Sequence, residues 1–323
     1  PKWKAPKKKT IFTGRSESEN TTCQNVNTQK VLIATGWTVY NEVIDVSQKT
    51  GTCSKTSFFP SELVGAAGAL VNDVPFICGG RHTSVSSAIN SCSILKHGRF
   101  VSIDPKMPEK RFNSAAIGFI QNVFEQLFSN FYISEFKGKL WVTGGRTPLP
   151  QHGSGYSRYL KSTLLIDQNT IENFIDLPDV RGGHCFFKIK ENLAFLAGDG
   201  QDHLFFEPED VAMNKGPNLP TNRFEAGCSS FEHNGSTILV IAGGHTTKPR
   251  SKSVIFLRLN EKKWRIGPDL PLGLAASPML PTPDNHGVMA FGGWDGRHNR
   301  VDILKLIVQA PFKAASGQNW IKK

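Results

Sequence analysis

The stretch FEAGCSSFEHNGSTILVIAGG, Phe224–Gly244, decides the fold. It reads as a strand over Phe224–Glu232, a tight turn at His233-Asn234-Gly235-Ser236, and a second strand over Thr237–Gly244 that closes on Gly-Gly. Asn-Gly is the favoured two-residue hairpin turn, because both positions accept positive φ. An apolar run ending in a small-residue doublet recurs at Val31–Gly36 (VLIATG), Val74–Gly80 (VPFICGG), Leu140–Gly145 (LWVTGG), Leu193–Asp199 (LAFLAGD) and Val288–Gly293 (VMAFGG). Read from Gly36, Gly80, Gly145, Asp199, Gly244 and Gly293, the doublets step by 44, 65, 54, 45 and 49 residues. A period of roughly 45–50 residues means one supersecondary unit copied along the chain.

A second marker runs in phase with the first. Phe59-Pro60, Leu177-Pro178, Leu219-Pro220 and Leu270-Pro271 each lie 20–24 residues before a doublet, and Met107-Pro108 lies 37 before Gly145. Proline cannot donate to a ladder, so the pair marks the exit from a unit's outer strand. Lys137-Gly138-Lys139 and Val71-Asn72-Asp73 fill the hairpin slot in two other repeats. After each doublet come a loop, a third strand and an outer fourth strand, clearest at Ser253–Leu257 and Trp264. Trp264 and Phe100 stand 20 residues after Gly244 and Gly80, where a large aromatic packs between neighbouring units. In repeats three and four Ile171 and Met213 sit near that slot. Six four-stranded units predict an all-β fold, a six-bladed β-propeller. Val301–Val308 is expected as the third strand of blade six and Trp320 as its fourth. Blade one draws its first strand from residues 21–28. The doublet glycines are expected where no room is left for a Cβ. Insertions break the period at residues 120–135 and 146–162.

Composition agrees with many short strands and tight turns: 323 residues, 39% hydrophobic, 30 glycines. The net charge of +11 is uneven. Lys2, Lys4, Lys7, Lys8, Lys9 and Arg15 give the first 15 residues +6 with no acid, leaving +5 for the other 308. Residues 1–18 therefore read as a basic, disordered, solvated tail, and 19–322 as the propeller. Nucleic-acid or other polyanion binding would rest on that tail alone. No apolar stretch approaches the roughly 20 residues that span a bilayer. The chain opens on Pro1, which reads as a fragment or a processed form, so a missing signal peptide carries no weight.

The doublet strands, Trp264 and the arginines after several blade exits (Arg111, Arg181, Arg223) resemble kelch-repeat proteins over about residues 20–322. The doublet is degenerate at Thr35-Gly36 and Gly198-Asp199. No BTB segment precedes the repeats, and CGG at Cys78–Gly80 with Cys92 nearby is similar to the secreted kelch proteins of invertebrates.

Compartment follows from six cysteines, Cys23, Cys53, Cys78, Cys92, Cys185 and Cys228. Cys78 ends one strand and Cys92 opens the next, within disulfide reach across an antiparallel pair. Cys23 and Cys53 bracket blade one. Cys185 and Cys228 sit on first strands of consecutive blades, where the separation reads as large for a bridge. The sequons Asn20-Thr21-Thr22 and Asn234-Gly235-Ser236 favour an extracellular, glycosylated protein. The alternative is six buried small hydrophobes in a cytoplasmic protein.

For function, the recurring chemistry is arginine at the loop face. Arg81 and Arg146 follow Gly-Gly directly, Arg297 follows Gly293 by four, and Arg111, Arg181 and Arg223 begin first strands. The kelch resemblance implies that both loop types open on one face around a central channel and that such receptors dock acidic peptides there. Guanidinium forks suit carboxylates in bidentate pairing. Tyr156, Arg158 and Tyr159 on the long loop extend that surface. The competing role for the arginines is to brace neighbouring blades through backbone carbonyls. The reading is therefore a protein- or peptide-binding propeller for an acidic ligand. The alternative is a carbohydrate-binding or sugar-acting propeller of the sialic-acid mutarotase type. No catalytic residue, cofactor or metal is assigned. The nine histidines form no HxxxH or HExxH and there is no CxxC, so His82, His245 and His298 read as solvated rim residues. Copper-radical oxidation needs ligand tyrosines that Tyr40, Tyr132, Tyr156 and Tyr159 do not supply in context, and Asp boxes are absent.

Overall fold

In the computed structural model residues 62–118 (without 73 and 83–86), 138–149, 156–190, 193–199, 203–207, 212–246, 250–282, 284, 286–307 and 320–322 are described, with strands 30–33, 42–45 and 52–55 as backbone alone. Short hairpins cut these residues into antiparallel strands that pair in chain order.

The first sheet is β1 (Lys30–Ile33), β2 (Glu42–Asp45) and β3 (Thr52–Lys55). The next joins β5 (Ala67–Val71), β6 (Val74–Cys78), β8 (Cys92–Lys96) and β9 (Arg99–Ser102), while β4 (Leu63–Val64) pairs with β7 (Arg81–His82) beside it. β10 (Ala115–Gly118), β11 (Leu140–Thr143), β14 (Thr163–Ile166) and β15 (Ile171–Asn173) form the third; β12 (Arg146–Pro148) and β13 (Ser157–Tyr159) pair on their own. β16 (Cys185–Lys190) to β19 (Ala212–Lys215), through β17 (Leu193–Ala197) and β18 (Leu204–Glu207), make the fourth. The last two are β20 (Gly227–His233), β21 (Ser236–Ala242), β22 (Val254–Arg258), β23 (Arg265–Ile266), and β24 (Met279–Pro281), β25 (Gly287–Trp294), β26 (Asn299–Ile307), β27 (Trp320–Lys322).

Among the described residues five blades of four strands are therefore present, not six. The repeat that begins the chain gives three strands, because β1 is itself the doublet strand of VLIATG; the partner expected before it, at residues 21–28, lies outside the described residues. The insertion at 120–135 also lies outside them. The insertion at 146–162 carries the β12–β13 hairpin, closed by Leu149 N–H to the Tyr156 carbonyl at 3.0 Å. β26 and β27 fall where the third and fourth strands of blade six were expected. His233 pairs with Ser236 across Asn234 (φ 50°) and Gly235 (φ 69°), the two-residue turn that the sequence dictates.

The chain divides into two compact units, residues 59–216 and residues 1–58 with 217–323. In the first, Phe76, Cys78, Ile94, Met107, Leu140, Val142 and Leu164 pack between successive sheets. There, too, the Trp141 ring meets Phe174, Phe186 and Phe206 edge-on at 5.4, 4.8 and 4.5 Å. Trp141 thus supplies the aromatic wedge between blades three and four, and Met213 only packs against its cluster. In the second unit Phe231, Val240, Phe256, Val288, Leu304 and Leu306 form the core. Trp264 is buried, its indole N–H donating to the Pro217 carbonyl at 2.9 Å.

Cys78 and Cys92 face each other across β6 and β8 and form a disulfide with Cα atoms 4.1 Å apart. Cys185 and Cys228 are each held in a disulfide, so neither is a free thiol. The Cys23 and Cys53 side chains lie outside the described residues.

Candidate functional site

Three backbone features repeat from blade to blade and fix where side chains can point. The first is a clasp. The second doublet glycine donates its N–H to the carbonyl of the residue three past the next exit proline: Gly80 to Arg111 at 2.8 Å, Gly145 to Arg181 at 2.7 Å and Gly244 to Leu274 at 2.7 Å. The doublet glycines stand at positive φ, and a Cβ on Gly79 or Gly144 would meet the Arg111 or Arg181 carbonyl oxygen at 2.4 or 2.6 Å. The missing room for a Cβ is thus set by the neighbouring blade's backbone.

The second is the side chain at that same offset from proline. Arg111, Arg181 and Arg223 are 1%, 0% and 3% exposed. Arg111 donates to the carbonyls of Gly144 and Ser162 and to the Ser162 hydroxyl; Arg223 does the same with Gly243 and Ser253. Arg181 donates to the Gly198 carbonyl at 3.1 Å. Burial pulls the Arg111 guanidinium down to about 10, against the opposing pull of Glu109, and lowers Arg223 as well. The three arginines stand in the bracing arrangement: charge-assisted bonds to backbone carbonyls of a doublet and, for Arg111 and Arg223, of a neighbouring serine hold each one inside. Leu63 and Leu274, both buried, occupy the equivalent offset after Pro60 and Pro271.

The third is the residue after the doublet, which pairs back to its own blade's entry. Arg81 pairs with Val64, Arg146 with Phe112, His245 with Phe224 and Trp294 with Ala275. Of these four side chains Arg81, Arg146 and His245 are half-buried and Trp294 is exposed.

In the unit of residues 59–216 this position builds a cationic, aromatic surface. The Arg81 guanidinium lies over the Phe112 ring, 5.2 Å from its centroid, and makes no ion pair among the described residues. Phe112 is tied to Arg146 by two backbone hydrogen bonds of 2.9 and 2.7 Å. Arg146 lies over the Tyr159 ring at 4.4 Å. Arg158 pairs with Glu109 at 3.1 Å, and Tyr156, at the start of the same hairpin, is 65% exposed. The structure thus brings Arg81, Arg146 and Tyr159 into one continuous chain of contacts with Phe112 at its centre. Behind it, Thr143 Oγ1 meets buried His184 Nε2 at 2.8 Å, and burial with the charge of Arg181 drives this imidazole down to about 3.

In the other unit the same position is aromatic, His245 and Trp294. His245 stacks on Phe224 with ring centroids 4.8 Å apart, places Nε2 3.4 Å from Glu225 Oε2, and lies 6.2 Å from the Trp294 ring. It is therefore packed and paired, not a solvated rim histidine, whereas His298 is exposed. Arg297 belongs to the turn Asp295–His298, where its N–H donates to Asp295 Oδ1 at 2.8 Å.

A recess of about 310 Å³ lined by Asn72, Phe76, Gly138, Asp167 and Asn169 sits at the hairpin-turn end of its strands, opposite the doublets that carry Arg81 and Arg146. Among the described residues no group of three His, Cys, Asp or Glu side chains is placed to hold a metal ion, and no helix is long and apolar enough to cross a membrane.

Sequence reasoning held the bracing role open for Arg111, Arg181 and Arg223 and placed His245 on the rim; what it left out is Trp294, which stands after its doublet in the same column as Arg81, Arg146 and His245.

No family model and no curated protein matches the chain. Among solved structures it is similar to one described as "Structure of YjhT", at 16% identity and a TM-score of 0.70, over 91% of this chain and 95% of that one. At that identity the likeness shows the fold, an all-β propeller.

Proposed function

We propose that this chain is a kelch-type propeller that binds an acidic protein or peptide, and that Arg81, Arg146 and Tyr159, with Tyr156 beside them, form the ligand surface. The observation that carries the reading is the pair of guanidinium groups laid on the Phe112 and Tyr159 rings and linked through the Phe112 backbone. The Arg81 guanidinium, resting on a ring with no ion pair among the described residues, turns its in-plane N–H edge to a carboxylate, and the ring holds that edge in place. The disulfide-bonded cysteines support an oxidising compartment, and with the sequons a secreted protein. Arg81→Ala combined with Arg146→Ala is expected to weaken capture of a glutamate-rich peptide at least tenfold. Unchanged capture by a folded double variant would remove this surface from consideration.

A second reading, a sugar-acting propeller, draws on the His245–Glu225 pair beside Trp294, which sets a proton donor and acceptor next to an aromatic face. The fold likeness supports it no less than the first. Following anomer interconversion of sialic acid by NMR, with and without protein, decides it; a rate equal to buffer eliminates it.

A further inference from the structure

Arg250 is a cation for which the described residues supply no ion-pair partner. Its guanidinium lies 3.5 Å from the Trp294 ring centroid. Gly296 makes that possible: a Cβ there would fall 2.6 Å from Arg250 Nη1 and 3.1 Å from its Cζ. Gly273 clears the other side, where a Cβ would meet the Arg250 carbonyl oxygen at 2.3 Å. Gly296 thus makes room for the guanidinium itself, and Gly273 for the Arg250 backbone that carries it. Its Nε is buried with no hydrogen-bond partner, and among the described residues the guanidinium makes no ion pair and no hydrogen bond.

Asp295, which follows Trp294 in the chain, is committed elsewhere. Its Oδ1 accepts the N–H groups of Arg297 and His298, each at 2.8 Å, and its Oδ2 faces Arg300 Nη1 at 3.3 Å. Glu225, the other carboxylate of this surface, faces His245. Trp294 is 39% exposed, so the stacked pair reaches solvent.

We infer that Arg250 and Trp294 form a subsite for a ligand carboxylate, with Nη1 and Nη2 as in-plane donors and the indole as platform. The acidic-ligand reading above supplies the class of ligand, and residues 81, 112, 146 and 159 play no part in this subsite. A stacked guanidinium has lost its freedom to turn away before the ligand arrives, so less is given up on binding. The carboxylate comes from an acidic peptide side chain or from an acidic sugar, and the test separates them.

The six tryptophans are replaced by 5-fluorotryptophan, and the Trp294 resonance is assigned with Trp294→Phe. N-acetyl-glutamyl-glutamate, its diglutamine counterpart and sialic acid are then titrated in separate arms. The diglutamate is expected to shift the Trp294 signal saturably and the diglutamine to leave it in place. Arg250→Gln is expected to weaken the response at least tenfold, and Arg250→Lys, which keeps the charge and loses the fork, at least threefold. A response to sialic acid alone assigns the carboxylate to a sugar and overturns the peptide source. No shift with either acid, or a shift that survives in Arg250→Gln, overturns the subsite. Because the readout is local to Trp294, it holds in an Arg81→Ala/Arg146→Ala background, where the acidic-surface reading fails or stands independently. If Arg250→Gln does not fold, Arg250→Lys and the diglutamine arm still decide.

Discussion

The carbonyl oxygen of Leu274 lies 2.3 Å from where a Cβ on Gly243 would stand. Gly243 is at φ 66°, so alanine there meets two costs at once, a left-handed backbone and a backbone atom that cannot swing aside. Gly235 shares the first cost alone: its φ is 69° and nothing lies within 4 Å of its added Cβ. Gly235→Ala is expected to cost about 1–2 kcal/mol, and Gly243→Ala about 1–3 kcal/mol more. Urea unfolding of the two variants measures the gap. Equal losses would mean that the clasp relaxes freely and does not hold neighbouring blades.

Each blade entry places a residue at positive φ five positions past its proline: Gly65, Asn113, Gly183, Glu225 and Ala276. They are linked by backbone bonds, Asn113 N–H to the Gly65 carbonyl, Gly183 to Asn113 and Ala276 to Glu225, each at 2.7 Å. Alanine at φ 50° carries strain that glycine does not. Ala276→Gly is expected to raise stability by about 0.5–1 kcal/mol despite glycine's larger entropy in the unfolded chain. A lower melting temperature for this variant would show that the entropic cost prevails.

His184 makes the fold acid-sensitive in a stated window. Its Nε2 meets Thr143 Oγ1, and its Nδ1 is buried with no hydrogen-bond partner, so protonation would add a charged, unmatched N–H. The folded value is depressed from 6.5 to about 3, chiefly by burial and further by Arg181. The neutral form is therefore the one that folding favours. Its contribution is complete above about pH 6.5 and is lost as pH falls toward 3, at about 1.4 kcal/mol per pH unit. His184→Gln is expected to flatten the stability profile between pH 6 and 4. Parallel profiles for wild type and variant would assign the acid response to other groups.

Strand order was legible because the doublet, the exit proline and the Asn-Gly turn each mark a backbone requirement that few residues meet. Trp264, two turns and the β26–β27 pair followed directly. The three-strand first sheet was not legible, since VLIATG looks like any other doublet strand whether or not a partner precedes it. The site was half legible. Arg81, Arg146 and Tyr159 were named from position alone. Arg111, Arg181 and Arg223 carry the same side chain to a buried end, and only the leucines at the matching offset, Leu63 and Leu274, betray that this position faces inward. Trp294 and Arg250 gave no sign and His245 read only as a solvated rim residue, because stacking on Phe224, or of Arg250 on Trp294 beside Gly296, joins residues far apart in sequence.

That distinction among arginines yields a double dissociation. Arg111 and Arg223 each donate to two carbonyls and a hydroxyl in a buried setting, so a variant lacking the guanidinium loses three charge-assisted bonds. Arg223→Leu and Arg111→Leu are each expected to cost about 1–3 kcal/mol. The corresponding alanine variants should lose more, because the cavity is added to the lost bonds. Leucine is the informative substitute, being what stands at this offset in Leu63 and Leu274. Arg81 rests on Phe112 at the surface, and Arg81→Ala is expected to change stability by less than about 0.5 kcal/mol. Binding should sort the other way: at a temperature where all variants are folded, the leucine variants keep the affinity of wild type for an acidic peptide and Arg81→Ala loses it. Chemical denaturation and peptide titration on Arg111→Leu, Arg223→Leu and Arg81→Ala make the comparison. Should Arg223→Leu weaken binding as much as Arg81→Ala while remaining fully folded, the brace would have to be counted as part of the ligand surface after all.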